Sequence, residues 1–197
     1  MNSAALKVDL RQEALQARAQ LATDEKKALT AALTAHFKTW LQQHTQTQVQ
    51  PLNNIFLYHA FQNEVDIASP LWRDYQGRFN FYLPRCKMQS LELEFYSWTA
   101  QTEFSENSYG ILEPNPLTST LKTADSNTLI LLPCLSVDQY GTRLGYGKGY
   151  YDRYCKQYPQ ALKMAVAYNL ATQTIPKEAW DCRVDWVLTP TGLLATQ

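Results

Sequence analysis

Apolar side chains recur at helical spacing in the N-terminal part of the chain. Three leucines fall on one face of a predicted helix over residues 4–21. A second predicted helix begins at Thr23, a residue type that caps helix N-termini, and its apolar stripe extends to Leu41. Residues 42–50 are rich in Gln and Thr, which predicts a connector.

Short apolar segments bounded by turn residues predict strands farther along the chain. The predicted strands cover residues 55–61, 79–83, 91–98, 129–133, 162–168 and 185–190. Residues 102–127 have little periodicity, and 110–116 within them predict an ordered loop. Because strands and helices alternate, we predict an α/β fold of three layers. Its mostly parallel, doubly wound sheet would carry helices on both faces in a single domain over residues 1–197.

The composition of the chain argues against nucleic acid, membrane and zinc as binding partners. The 197 residues are 45% hydrophobic, and 18 basic side chains balance 18 acidic ones. This balance gives no overall field that would draw the chain to nucleic acid or to a membrane, so neither is expected as a partner. The four cysteines form no C-x-x-C pair, which argues against zinc and favours reduced thiols in the cytoplasm. No apolar run is long enough to span a bilayer.

Residues 138–153, called the glycine stretch below, contain four of the seven glycines together with Arg143 and Lys148. They lie between a predicted strand and a predicted helix that starts at Tyr150. Glycine lets backbone N–H groups approach an anion closely, and the basic side chains add charge where phosphate would sit. Walker A spacing fails because Thr142 replaces its first glycine, and the dinucleotide fingerprint fails because Tyr150 replaces its third. We therefore predict a phosphate-handling loop of another type.

Charged residues outside the glycine stretch have two interpretations each. Lys7 and Arg11 are neighbours on the first helix, where they form either a solvated face, the commoner case, or a pair of cations for a polyphosphate. Glu64 and Asp66 follow the first strand, where they either stabilise the next helix or face a ligand. His59 within that strand is more often a core histidine than a ligand.

The glycine stretch resembles the signature of the 5-formyltetrahydrofolate cyclo-ligase family, also called 5,10-methenyltetrahydrofolate synthetases. The residues that carry the resemblance are Asp138, Gly141, Arg143, Leu144, Gly145, Gly147, Gly149, Tyr150, Tyr151 and Asp152. Other segments are similar to motifs of the same family, in order along nearly the whole chain. They are Lys7-x-x-Leu10-Arg11, Glu64-Val65-Asp66, Leu83-Pro84, residues 110–114 and residues 184–187.

The resemblance implies a ligase that uses ATP and Mg²⁺ to close 5-formyltetrahydrofolate, with or without a polyglutamate tail, to 5,10-methenyltetrahydrofolate. It also implies a monomer whose fold resembles that of sugar-phosphate isomerases and coenzyme A transferases. In the implied site Arg143 and Lys148 are catalytic, and Asp152 and Asp185 hold Mg²⁺. The residues implied for ATP are Lys7, Arg11, Arg143, Leu144, Gly145, Tyr146, Gly147, Lys148, Gly149, Tyr150 and Tyr151. Those implied for the folate are His59, Glu64, Gly147, Lys148, Gly149, Tyr150 and Tyr151.

Two other functions are compatible with the sequence. A related enzyme on the same fold would isomerise a sugar phosphate or transfer coenzyme A, and it would need neither ATP nor a polyphosphate clamp at Lys7 and Arg11. A non-catalytic protein would retain the cavity and bind a folate or nucleotide without releasing ADP. Dependence of product formation on ATP separates these alternatives from the ligase.

Overall fold

The computed structural model of the chain describes residues 3–47 and 51–196. Its helices are α1 (Ser3–Gln20), α2 (Thr23–Thr47), α3 (Ala68–Tyr75) and α4 (Tyr150–Gln157). Its strands are β1 (Asn54–Phe56), β2 (Asn80–Lys87), β3 (Glu92–Ser97), β4 (Phe104–Glu106), β5 (Leu112–Pro114), β6 (Leu121–Lys122), β7 (Thr128–Pro133), β8 (Ser136–Val137), β9 (Arg143–Leu144), β10 (Leu162–Val166), β11 (Trp186–Thr189) and β12 (Gly192–Ala195).

Eight strands form the main sheet in the order β12-β11-β10-β7-β1-β2-β3-β6. The five central strands, from β11 to β2, are parallel to their neighbours. The edges are antiparallel, because β12 pairs with β11 and β3 pairs with β2 and β6. Two separate hairpins pair β4 with β5 and β8 with β9. The predicted mostly parallel sheet is confirmed.

Side-chain alternation along the central strands divides the core into two halves. Leu129 and Leu131 of β7 pack in the half that includes Phe37 of α2. Ile130 and Leu132 point to the other half, which includes Tyr154 of α4. This period of two buries both faces of a parallel strand, as helices on each side require. The helix–sheet–helix layering is therefore confirmed.

The helical predictions hold at the N-terminus, but the connector prediction does not. Helix α2 continues through most of the predicted connector, to Thr47, and residues 48–50 lie outside the described part of the chain. The ring of His44 stacks on Trp40 at a centroid distance of 4.6 Å, which gives this polar segment a packing partner. Among the described residues no helix has the combined length and apolar character needed to cross a membrane.

The strand predictions differ from the structure mainly in extent. Strand β1 ends at Phe56, so His59 lies beyond the strand instead of inside it. Residues 102–127 contain three short strands where weak periodicity gave only a loop. Strand β12 was missed as well. The strands within 102–127 have only two or three residues each and β12 has four, which is too few to leave a clear periodic pattern.

Candidate active site

A cavity of about 570 Å³ lies at the carboxyl ends of the central strands. Tyr58 and His59, which follow β1, and Pro133, the last residue of β7, line it. From β1 the chain adds β2 on one side of the sheet and β7 on the other side. The strand order therefore reverses between β1 and β7. Open α/β sheets bind ligands at such a reversal. The cavity is therefore placed where this fold positions a functional site.

A hairpin begins the glycine stretch and fixes its shape. Strands β8 and β9 pair antiparallel, and the turn between them surrounds the buried Asp138 carboxylate. This carboxylate accepts three hydrogen bonds, from the backbone N–H groups of Tyr140 (3.0 Å), Thr142 (2.9 Å) and Ile175 (3.0 Å). The hairpin lies between β7 and the glycines at 145–149, and the predicted order of strand, glycine stretch and helix is retained. Asp138 organises the turn.

Two glycines of the stretch adopt backbone conformations that other residues avoid. The backbone angle φ is 95° at Gly147 and 68° at Gly149. A Cβ atom at Gly147 would also lie 3.5 Å from the guanidinium carbon of Arg11. Gly149 is the N-cap of α4 and supplies no side-chain cap. The first backbone N–H groups of the helix are therefore presented beside the loop, as in anion-binding sites.

Two basic side chains of the cavity are paired with carboxylates. Lys7 Nζ lies 2.6 Å from Asp181 Oδ2, and Arg143 Nη2 lies 2.8 Å from Asp152 Oδ1. Burial alone would lower the pKa of the Arg143 guanidinium, but the neighbouring Asp152 carboxylate raises it. Asp152 Oδ1 also accepts the backbone N–H of Cys182 at 3.2 Å. Asp152 therefore orients Arg143 and joins α4 to the segment before β11.

Arg11 and Lys148 are the basic side chains of the cavity whose positive charge is not paired with a carboxylate of the described residues. Neither forms an ion pair within the described residues, although both line the cavity. The Arg11 Nε–H group donates to the Gly145 carbonyl oxygen at 2.9 Å, which attaches α1 to the glycine stretch. Lys148 is exposed. A phosphate group in the cavity would therefore meet these two cations without displacing a carboxylate.

The tyrosines after the glycines pack against basic side chains. The Arg143 guanidinium carbon lies 5.7 Å from the Tyr151 ring centre, and that of Arg153 lies 5.8 Å from the Tyr150 ring centre. Burial raises the pKa of both tyrosine hydroxyls, so they stay protonated donors at neutral pH. The Tyr150 hydroxyl and Arg143 Nε are buried without a partner among the described residues. Buried polar atoms normally have partners, so this wall suits a polar ligand.

Glu64 and Asp66, the acidic residues after β1, have different roles: one faces the cavity and the other stabilises a helix. Glu64 lines the cavity and accepts the backbone N–H of Phe61 at 2.9 Å. Burial raises the pKa of the Glu64 carboxyl. Burial and the nearby Glu64 raise the pKa of the Tyr146 hydroxyl to about 12. Asp66 instead is exposed and accepts the backbone N–H of Ser69 at the start of α3. Glu64 therefore faces the cavity, whereas Asp66 stabilises a helix end.

Asp185 is the one predicted site residue that the structure places outside the cavity. The predicted residues that line the cavity are Lys7, Arg11, His59, Glu64, Arg143, Leu144, Gly145, Tyr146, Gly147, Lys148, Gly149, Tyr150, Tyr151 and Asp152. Asp185 precedes β11, at the amino end of a parallel strand, and its carboxylate accepts the Lys163 backbone N–H at 2.8 Å. Asp185 therefore does not line the cavity wall with Asp152, and their sharing of one ion stays a prediction. Within residues 3–47 and 51–196 no group of three His, Cys, Asp or Glu side chains is arranged to hold a metal.

The cavity wall also includes residues that the sequence motifs did not indicate. They are Tyr58, Tyr109, Trp180 and Asp181, among others. Asp181 had no recognisable signal, because its partner Lys7 lies 174 positions away. Glu113 belongs to the 110–114 segment that is similar to a family motif but had no predicted role; it lines the cavity, is buried and accepts the Cys86 backbone N–H at 2.9 Å.

Comparisons with known proteins agree with this geometry. A family model described as the 5-formyltetrahydrofolate cyclo-ligase family matches residues 3–190. The chain belongs to this family. The family resemblance predicted from the glycine stretch is confirmed, and the family is one of ligases.

Relatives and solved structures cover most of the chain. The 5-formyltetrahydrofolate cyclo-ligase of Haemophilus influenzae is 27% identical over 84% of this chain and 94% of its own length. That of Mus musculus is 32% identical over 74% of this chain and 76% of its own length. The Aquifex aeolicus 5,10-methenyltetrahydrofolate synthetase superposes with a TM-score of 0.80 at 27% identity, covering 98% of this chain and 93% of that one. The Mycoplasma pneumoniae synthetase, at 23% identity, covers 92% of this chain and 97% of that one with a TM-score of 0.70, and it supports the fold.

Proposed function

We propose that this member of the family catalyses the ATP- and Mg²⁺-dependent cyclisation of 5-formyltetrahydrofolate to 5,10-methenyltetrahydrofolate, with release of ADP and phosphate. The observation that carries the proposal is the convergence of three distant segments on one cavity. Cations from α1, the glycine stretch and the acidic residue after β1 all line it. At about 570 Å³ the cavity is in the size range of small-molecule sites.

The reaction must turn a poor electrophile into a good one. The γ-phosphoryl group of ATP is transferred to the formyl oxygen, which breaks its bond to ADP and forms a phosphate ester. The folate N10 atom then attacks the formyl carbon and loses its proton. The carbon–oxygen bond breaks, and the former formyl oxygen leaves as phosphate. No protein nucleophile is needed, so the protein contributes alignment and charge compensation.

Arg11 and Lys148 are the groups best placed to bind the transferring phosphoryl group. Both line the cavity, and neither is paired with a carboxylate among the described residues. The backbone N–H groups that follow Gly149 add donors at the start of α4. Arg143 is held by Asp152, which gives it a fixed orientation at the cavity wall. These groups supply charge compensation without rearrangement of the loop.

Glu64 is suited to bind N–H donors of the folate ring system. Its carboxylate lies at the cavity wall on the segment after β1, away from the glycine stretch in sequence. Since burial raises the pKa of the Glu64 carboxyl, its ionised form is costly and gains from a hydrogen-bond donor on the ligand. His59 lines the same wall and is a second candidate contact.

The Asp152 carboxylate is suited to hold Mg²⁺. Mg²⁺ commonly takes one or two carboxylates and completes its coordination with phosphate oxygens and water. The Asp152 side chain is 20% exposed and lines the cavity. When bound, the ion would offset phosphate charge. Asp185, which precedes β11 and accepts the Lys163 backbone N–H, is the second carboxylate that the family resemblance implies.

The proposal is tested by following 5,10-methenyltetrahydrofolate formation by absorbance, with ATP and Mg²⁺ present or withheld. We expect product only when both are present, and equal rates without ATP would overturn the ligase function. In the same assay Lys148→Ala should lower kcat/KM by about 100-fold, a typical loss for one charge-stabilising group. Lys27→Ala removes an exposed lysine of α2 and is the matched control, with wild-type kcat/KM expected.

A further inference from the structure

Trp180 is a large aromatic side chain exposed at the edge of the cavity. It is 62% exposed and lines the cavity wall together with Val8 of α1, which is 49% exposed. Its indole offers a large flat apolar face with one polar edge, a combination common at binding surfaces. The motifs and the proposed phosphate chemistry do not use it.

A short turn holds Trp180 in place against helix α1. The Asp181 backbone N–H donates to the Glu178 carbonyl oxygen at 3.1 Å, and the Asp181 carboxylate accepts the Glu178 backbone N–H at 2.8 Å. The turn is attached to α1 on both sides of Trp180. Ser3 Oγ donates to Glu178 at 2.6 Å, and Lys7 Nζ binds Asp181 at 2.6 Å. The indole is therefore carried on a fixed support and does not have to be ordered by a ligand.

The same contacts place Trp180 beside the cations of the cavity. Its neighbour Asp181 binds Lys7, and Arg11 lies one helical turn farther along α1, where it binds the glycine stretch through Gly145. Phosphates held at the glycine stretch would therefore extend along α1 toward Trp180. The group attached to the phosphates of a nucleotide, through its ribose, is a flat heteroaromatic base.

We propose that Trp180 is a nucleotide-binding residue whose indole stacks on the nucleobase, with Val8 contacting the same ring. The inference rests on the proposed function in taking the phosphate-bearing ligand to be a nucleotide. Stacking is tolerant of base identity, because every base has an aromatic face. Trp180 therefore supplies affinity for a purine or pyrimidine ring. It contributes little to the discrimination between ATP and other nucleoside triphosphates.

The flat ring could also come from the pteridine of the folate, and the test separates these two sources. Equilibrium titrations would measure the Kd of ATP, of inorganic tripolyphosphate and of 5-formyltetrahydrofolate for the wild type, Trp180→Ala and Trp180→Phe. Tripolyphosphate carries the phosphates without a base. Leu117→Ala is the control, since Leu117 is 90% exposed and does not line the cavity.

We expect Trp180→Ala to raise the Kd of ATP about tenfold, in the range found when a base loses its stacking partner. The phenylalanine variant should stay within about threefold of the wild type, because it retains a flat ring. The Kd values of tripolyphosphate and of the folate should not change in either variant.

Three results would overturn the proposal. An equal rise in the Kd of tripolyphosphate in Trp180→Ala would show that the turn at 178–181 affects only phosphate binding, through Lys7. A rise only in the Kd of 5-formyltetrahydrofolate would show that the indole stacks on the pteridine ring of the folate. An unchanged Kd of ATP, or no binding of ATP by the wild type, would remove the stacking role. Because the titrations need no turnover, a failure of ATP-dependent cyclisation in the absorbance assay is recognised separately.

Discussion

Replacing Asp138 by alanine removes the carboxylate that three backbone N–H groups share. The bonds to Thr142 and Ile175 are buried, and the bond to Tyr140 is partly buried. A buried donor left without a partner costs about 1–3 kcal/mol. Taking about 1.5 kcal/mol for each buried donor and about 1 kcal/mol for the third gives about 4 kcal/mol of lost unfolding free energy. For a chain of this length, 1 kcal/mol corresponds to about 2–4 °C, so Tm should fall by roughly 8–16 °C.

Thermal and urea unfolding would measure this loss, with Asp138→Asn as the graded variant. The amide retains one accepting oxygen but turns an NH₂ group toward at least one backbone N–H, so an intermediate loss of about 2 kcal/mol is expected. Asp9→Ala, which removes an exposed carboxylate from α1, is the control and should unfold like the wild type. If Asp138→Ala unfolds within 1 kcal/mol of the wild type, the carboxylate does not organise the glycine stretch and the reasoning fails.

Two further predictions concern titratable side chains. Burial raises the pKa of the Glu64 carboxyl, so its contribution to stability is lost as pH rises from the ordinary value of about 4.3 through the raised one. Glu64→Gln should therefore raise Tm at pH 7.5 with the difference vanishing near pH 4, and a pH-independent difference would contradict this. A hydrogen bond from the Cys155 thiol lowers the pKa of Cys182, whereas burial raises that of Cys86 to about 12 and that of Cys134 to about 11. Iodoacetamide at pH 7.5 should alkylate Cys182 first, measured by peptide mass spectrometry; faster labelling of Cys86 would refute it.

Local patterns were enough to predict the layers of the fold. The buried strand β7 and the helix that starts at Tyr150 both carry their signal within a few residues, as apolar runs and as a glycine followed by a polar helix start. The short strands of the 102–127 region and β12 carry no such signal. Strands β4 and β5 have three residues each and β6 has two, and β12 becomes a strand by pairing with β11 across a tight turn.

The site residues also divide into those with a local sequence signal and those without one. The glycine stretch could be recognised because its residues are contiguous, and they do line one cavity. Asp181 and Trp180 reach that cavity only through contacts with α1, so no local pattern could indicate them. Asp185 shows what a local motif leaves open. The motif identifies the residue, but its place before β11 and its bond to the Lys163 backbone depend on the pairing of β10 with β11.

The contacts between α1 and the turn at 178–181 join positions 175 and 174 residues apart. Closing so large a loop is entropically unfavourable until the intervening sheet has brought its ends together. The cavity wall must consequently be completed late in folding, after most of the chain has been synthesised. Any ligand that contacts both the helix and the turn binds only this closed arrangement and stabilises it by mass action. Occupancy of the cavity and attachment of the N-terminal helix are thus thermodynamically linked.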